Sequence, residues 1–383
     1  MPRIAHSAGQ KNTLTLNAPS HRNLSIDALR AIAALLILFH HSSVPLLGVP
    51  FGVSFYDAVL AFFHDYGTLG VDLFFILSGF CIHWGNSKPG RTFDPKSYVL
   101  RRWWRIYPPY FFALGLAVIL NIFTNAYKWK TGGLVTLDNF GPGQVLSHVF
   151  LVHNLFQPTL ATISGPFWTI AAEVQFYLMY LLARPFFFSS KGWVFIFFVA
   201  ILFHLSSTHL ILQRYTFQPW HALQFWIEWV LGAYLAYSLR KWHHLTHYWF
   251  LWLLLCIACW MIAGYFTAHG LNVSWDYSKY LLVASFFFLT LLLFHWERIW
   301  TLPGLRWIPF LGSFSYSIYL IHFLMIDRVR VFIIPIFPPG VFRVLISLLA
   351  MFFSLAVSYI FFRIFEKPYM EKSANWKAWD KID

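Results

Sequence analysis

The sequence predicts an all-α fold, a polytopic membrane helix bundle of about ten transmembrane helices with both termini in the cytoplasm. Composition is the first reason, because 58% of the 383 residues are hydrophobic and only 11% are charged. Soluble domains carry about a quarter charged residues. The second reason is the recurrence of apolar segments near the length of a membrane span. The third is the uneven distribution of lysine and arginine between those segments.

Ten apolar segments are candidate spans, and most approach the roughly 20 residues that a helix needs to cross a bilayer. The second and fifth segments are short for a span. The predicted spans are 27–47, 69–84, 105–123, 165–187, 192–207, 221–239, 248–267, 277–296, 308–326 and 341–362.

The segments between the spans follow the positive-inside rule when the N-terminus is placed in the cytoplasm. The segments then assigned to the inner side carry 20 lysines and arginines, and the outer ones carry seven. The last outer segment, with Arg328, Arg330 and Arg343, runs against this trend. The net charge of +13 is therefore better explained by membrane orientation than by nucleic-acid binding, since no basic face interleaved with polar surface is present.

The bundle is predicted to form one domain. We expect 1–25 to be a disordered cytoplasmic lead, 26–368 to be the membrane domain, and 369–383 to be a short cytoplasmic tail. The longest outer loop, 124–164, contains Gln144–Phe156, which we interpret as a re-entrant or interfacial helix over an outward-facing site. The three cysteines lie in apolar spans, where they are typical small apolar filler, and no metal site is expected.

The first span carries the clearest chemical signal. Arg30 and His41 lie about 20° apart on a helical wheel and about 16 Å apart along the axis, so they share one face. A charge inside a membrane span costs a few kcal/mol and indicates function. The neighbouring His40 points well off that face.

Four ionisable residues on four spans are predicted to lie at similar depth near the outer side: His41, Asp72, Glu173 and His322. A histidine with a carboxylate is the pairing that general-base attack by a hydroxyl requires, and we expect Glu173 to orient or charge-balance His41. Structural alternatives stay open. Asp72 could cap its helix, and His322 could hydrogen-bond a carbonyl. The stripe of small and tyrosine residues that includes Tyr319 could serve packing alone.

An arginine cluster, formed by Arg101, Arg102 and Arg105, precedes the third span on the predicted inner side. Arginine pairs at helical i, i+3 and i, i+4 spacing can bind phosphates bidentately. The alternative is that they are positive-inside anchors beside tryptophans of the interfacial belt. Arg30, also at the inner end, favours a phosphate-bearing cytosolic ligand.

Six motifs, in order along 26–368, resemble those of the transmembrane acyltransferase 3 family, whose members O-acylate bacterial glycans and some small molecules. Arg30 and His41 match its Arg-X10-His pattern. The other matching motifs are Gly70–Phe80 with Asp72 and Ser78, Arg102–Pro108, Phe167–Tyr177 with Glu173, Ser315–His322 with Tyr319, and Phe365–Pro368. The resemblance implies an acyl-CoA co-substrate, usually acetyl-CoA, bound from the cytoplasm. It also implies that the arginines meet its phosphates and that His41 is essential.

The sequence hypothesis is an inner-membrane O-acyltransferase that moves an acyl group from acyl-CoA to a carbohydrate hydroxyl at the outer side. His41, Glu173 and Arg30 are its catalytic candidates, Arg102, Arg105 and Arg101 bind acyl-CoA, and Asp72, Ser78, Tyr319 and His322 support them. No permanently bound cofactor is expected. The expected partners are the lipid bilayer, acyl-CoA, a glycan or lipid-linked glycan and glycan-assembly proteins, with no nucleic acid. Alternatives are a solute or proton transporter, acylation of a non-glycan small molecule, and an inactive scaffold.

Overall fold

The computed structural model describes residues 23–43, 66–90, 92–130, 141–209, 220–268, 275–337 and 341–375. Throughout these ranges the ordered elements are helices and turns, with no β-strand. The principal helices are α1 Leu24–Ser43, α2 Leu69–Asn86, α3 Pro95–Lys130, α4 Pro142–Val149, α5 Trp168–Ala183, α6 Ser190–His209, α7 Trp226–Lys241, α8 Trp249–Ala268, α9 Trp275–His295, α10 Ser315–Phe332, α11 Val341–Phe361 and α12 Lys367–Asn375.

The all-helical prediction is confirmed for the described part of the chain, and each predicted span overlaps a helix. The predicted span 308–326 is divided between a short helix, Trp307–Gly312, and α10. Seven of the described helices are long and apolar enough to cross a membrane. The remaining three differ for visible reasons. Helices α5 and α7 have 16 residues each, and α10 carries Asp327, Arg328 and Arg330 in its last turns. The count of ten spans and the orientation of the termini stay predictions.

Helix α3 is much longer than the predicted span 105–123. It has 36 residues, which corresponds to about 54 Å of helix. Hydropathy marks only its apolar middle, whereas the arginine-rich start and the lysines near its end continue the same helix. This extension places Arg101 and Arg102, which precede the predicted span, on the same helix as Arg105.

Helix α2 lies at the centre of the bundle and packs against α1 and α7. Two glycines allow α2 and α7 to approach closely. A Cβ atom added at Gly79 would lie 1.9 Å from the Trp229 carbonyl oxygen, and one at Gly232 would lie 1.8 Å from the Ile76 carbonyl oxygen. Small residues at such crossings let helix backbones touch, and this contact fixes the part of α2 that carries Ser78.

We expect Gly79→Ala to lower the free energy of unfolding by about 3 kcal/mol, because the new methyl group meets a backbone atom that cannot rotate away. Thermal unfolding in detergent is the measurement. Gly115→Ala is the matched control, since no atom lies within 4 Å of a Cβ added there. Equal melting temperatures for the two variants would contradict the close crossing.

The predicted tail 369–383 is helical where the structure describes it. After α11 the chain forms a π-helical turn, Phe362–Glu366, and continues as α12. Helix α12 packs along the start of α3: Tyr369 stacks on Trp104 with ring centroids 6.0 Å apart, and the Ser373 hydroxyl donates to the Arg101 carbonyl at 2.9 Å. Residues 1–22 of the predicted lead and 376–383 of the tail lie outside the described residues.

The segment predicted as a re-entrant or interfacial helix, Gln144–Phe156, is partly helical and packs on α3. Helix α4 covers its start, and Tyr110 donates to the His148 carbonyl at 3.0 Å. His148 and His153 stack with centroids 3.8 Å apart. Burial lowers the pKa of His148 to about 4 and that of His153 to about 3, so both rings are neutral at pH 7 and stack without charge repulsion. The position of this segment relative to the membrane stays a prediction.

Candidate active site

Most of the predicted site residues line one cavity, whose empty space, including the part open to solvent, is about 830 Å³. We call it the arginine cavity. It lies between α1, α2, α3, α5 and α10. Its polar lining consists of Arg30, Ser78, Cys81, Arg102, Arg105, Thr169, Glu173, Tyr177, Ser315, Tyr316 and Tyr319. Three guanidinium groups therefore surround a single carboxylate in this space.

The guanidinium groups of the arginine cavity are held by partners from different helices. Arg105 pairs with Glu366 at 3.0 Å. Arg102 lies over the Tyr177 ring, 5.8 Å from its centroid. Arg30 lies 3.5 Å from an Asp27 carboxylate oxygen and 3.3 Å from the Cys81 sulfur. These contacts use only part of each five-donor guanidinium, so they leave donors for a ligand.

Glu366 is a site residue that enters the sequence analysis only as part of a closing motif. It is fully buried and lies in the π-helical turn, a feature often found at functional sites. Its Oε2 accepts hydrogen bonds from the Ser317 backbone N–H at 3.1 Å and from the Ser317 hydroxyl at 2.5 Å. Glu366 thus joins α10 and the C-terminal turn to Arg105. The apolar residues that come directly before Glu366 in the sequence could have indicated that its carboxylate is buried.

We expect Glu366→Gln to destabilise the protein by about 3–5 kcal/mol, because it leaves the Arg105 charge partly buried without its counter-ion. Loss of thermal stability in detergent is the readout. Glu371→Gln is the matched control, because Glu371 forms a 3.9 Å pair with Lys367 at an exposed position, and such pairs contribute about 1 kcal/mol or less. Similar melting temperatures for both variants would show that Glu366 does not organise the cavity.

Arg101, predicted to share ligand binding with Arg102 and Arg105, is absent from the lining of the arginine cavity. Its carbonyl receives the Ser373 hydroxyl of α12. The spacing allowed two pairs on one helix face, Arg101 with Arg105 and Arg102 with Arg105. In the structure the second pair lines the cavity. Arg101 is therefore a useful comparison residue for them.

Glu173 belongs to a hydrogen-bonded cluster within the arginine cavity. It accepts a hydrogen bond from the Ser78 hydroxyl at 2.9 Å and another from the Tyr177 hydroxyl. The Trp229 indole N–H lies 3.3 Å from the Ser78 hydroxyl. The cluster ties α2, α5 and α7 together and fixes the carboxylate among the cations. The supporting position predicted for Ser78 is consistent with this geometry.

His41 lines a second cavity of about 720 Å³, which we call the histidine cavity. Its polar lining consists of His40, His41, Thr68, Asp72, Lys279 and Tyr319. His41 and Asp72, which were predicted to lie at similar depth, both line this cavity. Glu173 has no hydrogen bond or ring contact with His41 within the described chain, so the expected direct pairing of the two is not present.

Asp72 forms an ion pair with Lys279, with 2.9 Å between its Oδ1 and the lysine Nζ. It is buried in the first turn of α2, whose N-cap is Thr68, so its side chain does not cap the helix. Glu228 is buried close by and interacts electrostatically with both charges. Lys279 is one of the seven positive charges of the predicted outer segments, and in the structure it links α9 to α2.

His322 lies beside His41, with ring centroids 5.2 Å apart. Its Nδ1 is 2.8 Å from the Tyr319 carbonyl oxygen and 3.0 Å from that of Ile318. Carbonyl oxygens only accept hydrogen bonds, so Nδ1 carries a proton; when the ring is neutral, Nε2 presents a lone pair. That Nε2 is buried without a hydrogen-bond partner among the described residues. The carbonyl contact that was left open as a structural alternative for His322 is present.

The two cavities share a wall made by Val71 and Tyr319, which line both. The Tyr319 hydroxyl lies 2.6 Å from the Thr169 hydroxyl and 3.0 Å from the Pro166 carbonyl oxygen. These contacts hold the tyrosine between α5 and α10. The arginine cavity, with its cations, and the histidine cavity, with a base, are therefore adjacent compartments. Tyr319 lines both of them.

No group of three or more histidine, cysteine or acidic side chains that could hold a metal ion occurs in the part of the chain that the structure describes. Searches among curated proteins and among solved structures find no match. The family described as "Acyltransferase domain", in the acyltransferase 3 group, matches residues 23–363. This match covers nearly the whole chain and both cavities, and the chain belongs to the acyltransferase 3 family of multi-pass membrane proteins.

Proposed function

We propose that the protein is an O-acyltransferase that moves an acyl group, most simply acetyl, from cytoplasmic acyl-CoA to a hydroxyl of a carbohydrate at the opposite side of the inner membrane. The adjacency of the two cavities carries the proposal. One cavity is lined by three arginines and the other by a histidine pair, and they share the wall of Val71 and Tyr319. This arrangement suits an anionic donor in one compartment and a hydroxyl nucleophile in the other.

The donor fits the arginine cavity by charge. Coenzyme A carries phosphates at one end and the thioester at the other, and guanidinium groups bind phosphates through paired hydrogen bonds. Arg102 and Arg105 project from the start of α3, and both line the cavity. In this arrangement they bind the phosphates while the pantetheine arm extends toward Tyr319. Arg30 adds positive charge on the α1 side of the same space.

The acceptor hydroxyl reacts from the histidine cavity. His41 takes the hydroxyl proton as the oxygen attacks the thioester carbonyl carbon, which forms the new C–O bond. The C–S bond then breaks, the thiolate of coenzyme A leaves, and the proton held by His41 returns to that sulfur. The products are an acyl ester and free coenzyme A. The His322 lone pair next to the His41 ring provides an acceptor that can fix the His41 tautomer.

The Glu173 cluster acts on the donor side in this scheme. Glu173 holds the Ser78 and Tyr177 hydroxyls and balances part of the arginine charge. This role replaces the direct orientation of His41 that the sequence suggested. A two-step variant, in which Ser78 or His41 briefly carries the acyl group, uses the same residues. A trapped acyl-enzyme would distinguish the two-step route from direct transfer.

The first test is thiol release by the purified full chain in nanodiscs, with acetyl-CoA or longer acyl-CoA as donor and an envelope-glycan extract as acceptor. Acceptor-dependent thiol release with formation of an ester supports the proposal. Solute or proton uptake by the reconstituted protein, without thiol release from any donor, would instead favour the transporter. Neither activity would favour the scaffold.

A further inference from the structure

A third cavity, of about 1,110 Å³, adjoins the histidine cavity. We call it the Asp327 cavity, and it lies between α3, α10 and the segment before α5. Gly165 lines both it and the histidine cavity. Phe323 lines the Asp327 cavity while its ring packs against the His41 ring with centroids 4.9 Å apart. A molecule in the Asp327 cavity is therefore one aromatic ring away from His41.

The charged lining of the Asp327 cavity is predominantly positive. Lys128, Arg328 and Arg330 face one acidic residue, Asp327. Arg328 and Arg330 belong to the predicted outer segment that runs against the positive-inside trend, so their charge needs an explanation other than membrane orientation. The contacts of each arginine show whether its guanidinium is already bonded within the protein or can still bind a ligand.

Arg328 and Arg343 have structural partners. Arg328 donates to the Leu120 carbonyl at 3.1 Å, to the Asn121 side chain at 2.9 Å and to the Thr124 hydroxyl, and it pairs with Asp327 at 3.0 Å. These bonds fasten α10 to α3. Arg343 donates to the Phe337 carbonyl at 3.1 Å and is not part of the cavity lining. The positions of both arginines are therefore explained by contacts within the protein, without a bound ligand.

Arg330 differs from both. Its side chain is 51% exposed, and its one ion pair in the described chain is a long contact of 3.8 Å from Nε to Asp327. Arg330 lines the cavity, and its guanidinium has no hydrogen-bond partner among the described residues. A guanidinium group is planar and always charged, and in this position it can bind a carboxylate or a phosphate through two hydrogen bonds. Asn121 and Asn125 supply neutral polar groups in the same lining.

We propose that the Asp327 cavity binds the acceptor and that this acceptor carries an anionic group, a carboxylate or a phosphate, which Arg330 recognises. The acceptor role rests on the proposed acyltransferase function, whereas the binding of an anionic glycan does not depend on it. In this arrangement the anionic group lies at Arg330, the sugar covers Phe323, and a hydroxyl passes Gly165 to reach His41. The excess positive charge also raises the local concentration of an anionic acceptor.

The test is equilibrium binding to the full chain in nanodiscs, followed by acyl transfer with the same acceptors. The probes are a glucuronic acid oligosaccharide, its neutral methyl ester, and a neutral oligosaccharide with and without a phosphate on its terminal hexose. The variants are Arg330→Gln and, as rescue, Arg330→Lys. Arg343→Gln is the matched control, because it removes the same charge from the same outer segment but outside the cavity.

We expect the wild type to bind at least one anionic probe about tenfold more tightly than its neutral counterpart. Arg330→Gln should abolish that preference, Arg330→Lys should restore part of it, and Arg343→Gln should leave it unchanged. Comparing each charged probe with its neutral counterpart shows whether the protein recognises a carboxylate or a phosphate. Equal binding of charged and neutral probes, or equal losses in the Arg330→Gln and Arg343→Gln variants, would overturn the inference. Charge-selective binding without thiol release from any donor would instead remove the acyltransferase proposal and keep the site.

Discussion

Replacing His41 with alanine is expected to reduce acyl transfer by about a thousandfold, since general-base catalysis by a positioned side chain contributes on the order of 10²–10⁴. The affinity for acyl-CoA should stay the same, because the arginines line the neighbouring cavity and not that of His41. The measurement is the rate of acceptor-dependent thiol release at saturating donor, together with donor binding to the same preparation. A loss of rate with intact binding would place His41 in the chemical step.

His40→Ala is the comparison variant for this experiment. His40 lines the same cavity and its ring contacts that of His41, with centroids 4.9 Å apart, but it lies off the face that Arg30 and His41 share. We expect a rate within about tenfold of the wild type, since the base itself remains. Similar rates for wild type and His41→Ala would remove this histidine from the mechanism while leaving the enzyme in place.

Replacing Arg102 with alanine is expected to raise the apparent KM for acyl-CoA by about 10- to 100-fold with a small change in kcat. A charge-assisted hydrogen bond to a phosphate contributes about 1.5–3 kcal/mol, and the bond forms equally in ground and transition states. Arg102 is a cleaner position than Arg105, because Arg105 also forms the buried ion pair with Glu366. The measurement is initial-rate kinetics across donor concentrations in nanodiscs.

Arg101→Ala is the matched control, since it removes the same charge from the same helix while lying outside the arginine cavity. A donor lacking the 3′-phosphate sharpens the experiment further. If Arg102 binds that phosphate, the wild type should lose affinity for the shortened donor and Arg102→Ala should lose no more. Equal effects of Arg101→Ala and Arg102→Ala would indicate a general electrostatic role at the membrane surface.

Periodicity within a single helix was predictable from the sequence. Arg30 and His41 share a face of α1, and the structure places each in one of two adjoining cavities. The ten apolar segments each overlap a helix, because the length of an apolar run is a local property of the chain. His41 and His322 were predicted only to lie at similar depth, and in the structure their ring centroids are 5.2 Å apart.

Relations between helices were less accessible to sequence reasoning. Depth along a span gives no information on the direction in which a side chain points, so Glu173 could be placed at the level of His41 and still face another cavity. The same limit applied to Lys279, whose pairing with Asp72 depends on how α9 packs against α2. Helix ends were missed where polar residues extend an apolar helix, as at the start of α3.

The wall of Val71 and Tyr319 has a consequence for the bilayer itself. Under the proposed transfer, only the acyl group and a proton need to pass between the two compartments, while both large reactants stay on their own sides. Tyr319, held by Thr169 and Pro166, can then act as a permeability seal. The protein could thus use a cytosolic thioester to acylate an acceptor on the other side of the membrane without opening a continuous aqueous pore that would dissipate ion gradients.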